Sequence, residues 1–232
     1  MNRTEKVRLE KALSSYFEDI HKIYTGGKFR EESFYPSLKS FLEECSVLFP
    51  QLVRTNVLVL PKKTEIGIPD FHIGKNGEIV GYIEAKTPDT DLREVEDSEQ
   101  LKRYRDSLPN LILTNFLEFR LYLQGNPINN VEVGRQFTLK DLKHPPTPEK
   151  LDSFYELLEK FFSFSTPEIH KSSDLSVELA KRTRFLERIS QEELSRENEE
   201  VTRLFKAFQE ELIETLTKEW DDGVKSFVYK FI

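Results

Sequence analysis

Asp70, Glu84 and Lys86 carry the types and spacing that could do chemistry on a phosphate. They stand in two short β-like runs, Ile68-Pro69-Asp70-Phe71-His72-Ile73 and Val80-Gly81-Tyr82-Ile83-Glu84-Ala85-Lys86, joined by Gly74-Lys75-Asn76-Gly77. Side chains alternate along a strand, so Glu84 and Lys86 share a face. Asn-Gly tolerates the positive φ of a type I′ turn, and the resulting hairpin returns Asp70 beside the Glu-x-Lys pair. Two carboxylates suit Mg²⁺, which takes few protein ligands and keeps several waters. A neighbouring ammonium can orient a water for in-line attack and offset charge developing on phosphate. The bland alternative is an edge hairpin with solvated charges at its rim. Against it, Glu84-Ala85-Lys86 is the single Glu-x-Lys among 41 acidic residues, and it closes an apolar strand.

Other elements must position this trio. Upstream, the spacing predicts a helix over 30–42, with Phe34, Leu38, Phe41, Leu42 and Cys45 on one stripe. Glu31 falls on that apolar stripe, whereas Glu32 falls with Tyr35 and Lys39, nearer solvent. A carboxylate on an apolar face is costly unless paired or near a metal, although a helix start also favours Glu by a fraction of a kcal/mol. Downstream, Gln100 and Tyr104 stand at i and i+4, on one face of a predicted helix. Leu111–Thr114 and Glu118–Leu123 read as a buried strand followed by an alternating one.

The series Asp70, Glu84-Ala85-Lys86, Gln100-x-x-x-Tyr104 resembles the Pro-Asp…(Asp/Glu)-x-Lys motif of restriction-endonuclease-like nucleases. The Gln-x-x-x-Tyr element resembles that of recombination-helicase nuclease domains and several restriction enzymes. The run from Glu31 to Tyr122 resembles the nuclease domain of single-chain restriction-modification enzymes, the Type IIG and Type ISP kinds. More loosely, Glu178–Leu186 resembles the helical segment that follows their core. The resemblance implies an α/β restriction-endonuclease-like core, with a central mixed sheet flanked by helices and an all-helical region after it. It implies Mg²⁺, with Mn²⁺ able to substitute, held by Asp70, Glu84 and the Ala85 carbonyl. It also implies a first-helix glutamate, Glu31, at the metal site, Gln100 steadying that site and Tyr104 contacting DNA. Asn115 departs from the Asp expected there in many relatives.

Composition bounds the rest. A chain of 232 residues can bury one substantial core. One cysteine, Cys45, excludes an internal disulfide, and four scattered histidines lack ligand spacing. No apolar run approaches a bilayer span and no signal peptide is evident, so a cytoplasmic protein without membrane contact is expected. The net charge of −7 is unevenly placed: residues 1–145 hold 21 basic and 22 acidic side chains, residues 146–232 hold 13 and 19. The near-neutral core offers Lys62, Lys63, Lys102, Arg103 and Arg105 to phosphates, too few for tight independent DNA affinity. Another module is expected to supply the grip.

The pattern divides at the Pro-rich run 144–148 into a nuclease core, 1–145, and a helical connector, 146–232. Residues 5–24 read as an amphipathic helix ended by Gly26-Gly27, Pro88–Asp97 as an acidic loop, and Phe137–Leu142 as a short last element. Beyond the Pro-rich run, three aromatic-rich helical stripes follow. The chain ends mid-pattern at Ile232, so fused methyltransferase and target-recognition domains are expected beyond it. No Gly-Lys-Ser/Thr phosphate loop or Asn-Pro-Pro-aromatic signature occurs. The expected function is Mg²⁺-dependent cleavage of double-stranded DNA in phage defence. Its rivals are a catalytically idle nuclease-fold module that binds DNA, or a helical interaction scaffold.

Overall fold

Six strands form one mixed sheet whose spatial order is their sequence order: β1 (Thr55–Val59), β2 (Phe71–Lys75), β3 (Glu78–Ala85), β4 (Asn110–Thr114), β5 (Glu118–Leu123) and β6 (Asn126–Glu132). All neighbours are antiparallel except β3 and β4. Those two run parallel because α3 (Leu92–Glu96) and α4 (Glu99–Ser107) carry the chain back along the sheet. Three further helices packed with this sheet are α1 (Arg3–Thr25), α2 (Tyr35–Ser46) and α5 (Leu151–Phe162). This is the expected α/β arrangement of a mixed sheet flanked by helices.

The computed structural model describes residues 1–49, 55–59, 69–75, 78–135 and 144–165, with isolated positions between 176 and 203. The chain divides into two units, Met1–Pro61 with Pro69–Thr166, and Lys62–Ile68 with Pro167–Ile232. Every described position from 176 onward is helical. The Asn76-Gly77 turn, Lys62, Lys63, Phe137–Leu142 and the rest of the later helices lie outside the described residues.

Side-chain caps start α1, α3 and α4. Asn2 and Glu5 make a reciprocal capping box at the start of α1. Pro36, which lacks an N–H, fits the first turn of α2, and the expected single helix over 30–42 splits there: Glu31–Phe34 is a 3-10 turn and α2 begins at Tyr35. The acidic stretch read as a loop contains α3, because Asp91 accepts from the Arg93 N–H at 2.9 Å and caps it. Ser98 caps α4 through the Leu101 N–H. Strand β6 escaped the sequence reading because it is an edge strand, polar and exposed along most of its length, with Pro127 inside it.

One face of the sheet, through Val57, Phe71, Ile73, Ile83, Ala85 and Ile112, belongs to an apolar cluster with α1, α2 and α5. On the other, Leu111, Leu113 and Tyr122 are buried along with Leu92 of α3 and Leu101 and Tyr104 of α4. All five residues of β4 are buried, as a strand covered on both faces must be. Among the described residues, no helix is long and apolar enough to cross a membrane.

The hairpin β2–β3 contains a bulge that decides where the chemistry lands. Gly74 pairs with Ile79 and Ile73 with Gly81, so Val80 is an extra residue on β3. Beyond it Phe71 faces Ile83, and Asp70 continues into line with Glu84. Without the extra residue the register would slip by one, and Asp70 would align with Ile83, whose side chain enters the core. The Asn110 side chain holds the bulge, its amide donating to the Val80 carbonyl and to the Phe161 carbonyl, each at 2.8 Å.

Helix α5 lies after the Pro-rich run, yet it packs in the first unit. Its stripe of Phe154, Leu157, Leu158, Phe161 and Phe162 is part of the sheet's own core, so that core extends past residue 145, where the sequence pattern divides the chain. The contact is close at Gly81, where a Cβ would sit 2.6 Å from Phe161 Cε2 and 2.7 Å from Asn110 Nδ2. Gly81→Ala is therefore expected to cost about 1–3 kcal/mol through overpacking. Thermal unfolding checks it; an unchanged midpoint would show that α5 does not press on β3.

Candidate active site

The bulge and the parallel crossover bring Asp70, Glu84 and Lys86 to one end of the sheet. Asp70, just before β2, is buried, and its two oxygens are each held: Oδ1 accepts from the Tyr35 hydroxyl at 2.5 Å and Oδ2 from the Ala85 N–H at 2.8 Å. Glu84 is 3 % exposed and points away from Ile83 and Ala85, which enter the main core. Its Oε1 accepts from Lys86 Nζ at 2.5 Å and from Gln100 Nε2 at 3.3 Å. Its Oε2 is buried with no hydrogen-bond partner among the described residues.

A buried carboxylate oxygen without a donor is expensive. That oxygen, beside the fixed carboxylate of Asp70, fits a hard cation that takes two protein carboxylates and completes its shell with water. Among the described residues, no three His, Cys, Asp or Glu side chains are grouped as a ligand set. Asp70 and Glu84 alone could therefore hold only an ion that keeps most of its waters. The Ala85 main chain is at the site, with its N–H on Asp70.

The sequence places Glu31 at this site, and the structure brings it within reach through a residue that the pattern put near solvent. Glu31 is half-buried and lies 3.0 Å from the Tyr35 hydroxyl, while Glu32 is exposed. Tyr35 itself is buried, against the expectation that it shares a solvated face with Glu32. The 3-10 turn is the cause: it changes the residue spacing just where α2 begins, so the two segments do not share one helical phase. No signal in the sequence marks Tyr35, since its role depends on that break.

Gln100 and Tyr104 share a face of α4 as expected, with Gln100 Nε2 donating to the Tyr104 hydroxyl at 2.9 Å. Tyr104 is 1 % exposed, so its hydroxyl serves Gln100 inside the protein and does not reach a surface ligand. Lys102 is exposed and pairs with Glu99 at 3.4 Å, and Arg103 is half-buried. Asn115 has a structural use: its side-chain oxygen accepts from the N–H groups of Leu117 and Glu118, and its amide donates to the Thr90 carbonyl.

A second cluster fixes α3, and with it the start of α4. Buried Arg120 of β5 bonds Glu96 of α3 and donates to Glu118 at 2.7 Å, while the Tyr122 hydroxyl donates to Glu96 at 2.7 Å. Arg105 lies over the Tyr122 ring, 5.5 Å from its centroid. The sequence marks only Arg105 among these, and as a group offered to phosphates, because the pairing of Glu96 with β5 joins elements distant in the chain; here Arg105 is half-buried and lies 3.8 Å from Glu96.

Burial dominates the electrostatics. It pushes Glu84 up to about 7, with the Asp70 charge adding and Lys86 opposing. Burial also raises Asp70, against the lowering effect of the Tyr35 and Ala85 hydrogen bonds. Burial pulls Lys86 down, but Glu84, Glu31 and Asp70 together hold it above the ordinary lysine value, so it stays charged.

Neither a protein-family model nor a curated protein matches the chain. Among solved structures, the fold is similar to a chain in the cryo-EM structure of a DrdV–DNA complex, at 15% identity and a TM-score of 0.47. The likeness covers 86% of this chain and 18% of that one.

The shift at Glu84 has a sign that can be measured. Between the ordinary value of 4.5 and about 7, the folded protein holds a proton at Glu84 that the unfolded chain has released. Stability must therefore fall as pH rises through that window, and Asp70 acts in the same direction. In chelator, the thermal midpoint should drop between roughly pH 5 and pH 7.5, and Glu84→Gln should remove much of the drop. Equal slopes in the two proteins would contradict a buried, ion-poor Glu84.

Proposed function

We propose that this chain is the DNA-cleaving part of a restriction-modification enzyme, a Mg²⁺-dependent endodeoxyribonuclease. One observation carries the reading: a buried carboxylate pair, Asp70 and Glu84, with an unpartnered Glu84 oxygen and a charged lysine bonded to that same glutamate. Such a group is costly to a fold that does not use it.

Asp70 and Glu84 would hold Mg²⁺ or Mn²⁺, with the Ala85 carbonyl as a third ligand. When bound, the ion supplies Lewis acidity toward a phosphate oxygen and toward water. Lys86 holds the attacking water in line with the scissile phosphate and stabilises the charge that develops there. Gln100 keeps the Glu84 carboxylate in orientation, and Tyr104 keeps Gln100 in place. Lys102 and Arg103 on α4 supply phosphate contacts, which position DNA without reading its sequence. Target recognition and methylation belong to fused domains of the longer protein, which accounts for a core with so little basic surface. The idle-module alternative keeps the same fold and loses only the chemistry.

Plasmid nicking in Mg²⁺ or Mn²⁺ separates the two. Asp70→Ala and Glu84→Ala should each abolish nicking together with calorimetric Mn²⁺ binding. Lys86→Ala should reduce nicking by about a hundredfold or more, the order of an acid–base or charge-stabilising group, while Mn²⁺ still binds. Lys86→Arg should remain poor, because a planar guanidinium does not replace a compact ammonium. Near-normal nicking by Lys86→Ala would defeat the mechanism, and metal-independent nicking would defeat the function.

A further inference from the structure

Tyr35 is the residue that joins the two acidic parts of the site. Its hydroxyl lies 2.5 Å from Asp70 Oδ1 and 3.0 Å from Glu31 Oε1, one proton facing two carboxylate oxygens. The ring is buried and packs on Phe71, whose centroid is 4.9 Å away, so the hydroxyl has a fixed origin. Phe71 is the residue next to Asp70, and Pro36, next to Tyr35, marks the start of α2. Glu31 is not grouped with Asp70 and Glu84 as a three-residue ligand set among the described residues. The Tyr35 oxygen lies within hydrogen-bond distance of both Glu31 and Asp70.

We propose that Tyr35 is a positioning residue: it orients Asp70 for the divalent ion and couples Glu31 to that carboxylate, so that Glu31 acts through Tyr35 and not as a direct ligand. The inference rests on the metal-nuclease reading above and deepens it at one residue. A hydroxyl donates one hydrogen bond at a time, and it favours the more negative of two acceptors. In the ion-free protein the shorter contact gives the proton to Asp70, whose Oδ2 is held by the Ala85 N–H. The carboxylate plane is thereby set from both sides. Were the Asp70 charge neutralised by a bound cation, Glu31 would be the stronger acceptor for the same proton. Rotation of one hydroxyl would then let Glu31 act on the site through Tyr35. This is the usual task of a group behind a metal ligand, where loss of the partner lowers affinity by an order of magnitude or more.

The test is a double-mutant cycle on the whole chain, read by calorimetric Mn²⁺ binding. Tyr35→Phe keeps the ring against Phe71 and removes the hydroxyl; its thermal midpoint checks folding. Tyr35→Phe should weaken Mn²⁺ binding about tenfold. Glu31→Gln should do the same in the parent protein, yet change affinity by less than about threefold in the Tyr35→Phe background. Glu32→Gln should leave affinity unchanged in both. Mn²⁺ should also perturb the tyrosine ultraviolet difference spectrum of the parent protein, and that signal should shrink in Tyr35→Phe. Equal losses from Glu31→Gln in both backgrounds, or a Tyr35→Phe affinity equal to the parent's, would overturn the coupling while leaving the metal site intact. Absence of Mn²⁺ binding by the parent protein would overturn the metal reading, and the inference with it.

Discussion

Two carboxylates held out of water side by side are the constraint on which the site depends. Asp70 and Glu84 are buried, and the Asp70 charge adds to the cost of ionising Glu84. The ammonium of Lys86 faces these two carboxylates and Glu31 as well. Proteins tolerate buried charge where it is paired, hydrogen-bonded or neutralised by an ion. Here the hydrogen bonds are spent unevenly. Asp70 receives a donor on each oxygen, whereas Glu84 concentrates Lys86 and Gln100 on Oε1 and leaves Oε2 bare among the described residues. That asymmetry is what the proposed cation would relieve.

The sheet supplies the precision. A bulge at Val80 moves Asp70 into line with Glu84, and Asn110 clamps the bulge to the end of α5. The parallel pairing of β3 with β4 sets Ala85 against Thr114, and the Lys86 N–H donates to the Thr114 carbonyl at 2.8 Å. The backbone that carries Lys86 is thus tied to the most buried strand of the sheet. Helix α4 closes the other side. Its Gln100 reaches Glu84, while α3 just before it is fixed by buried Arg120 through Glu96. Each catalytic candidate rests on an element held by residues remote from it in the chain.

The two rivals to cleavage differ in what they ask of these contacts. An idle module has no use for the unpartnered oxygen of Glu84, and apolar residues of similar volume would serve its core at least as well. A scaffold built on the region after residue 165 asks nothing of these contacts, and most of that region lies outside the described residues. The sheet's core, however, includes α5 as an integral layer, with Phe154 and Phe161 packed among residues of α2 and the strands.

Local pattern alone determined the trio Asp70, Glu84 and Lys86, the amphipathic faces of α1, α2 and α5, and the shared face of Gln100 and Tyr104. These follow from side-chain period and turn chemistry, which act over a few residues. Tertiary structure decided what period does not encode. The bulge at Val80 alters register without altering composition. The 3-10 turn before Tyr35 breaks a helical phase that reads as continuous, which hid Tyr35 and left Glu31 legible only as a charge on an apolar stripe. Strand β6 lacks alternation because most of its residues are exposed on both faces, and Tyr104 is buried with its hydroxyl accepting from Gln100. Glu96, Arg120 and Tyr122 meet only once the crossover has folded back over β5. For the bulge and the Glu96 cluster the deciding contacts join elements that sequence spacing cannot bring together, so the chemistry was readable locally and its alignment was not.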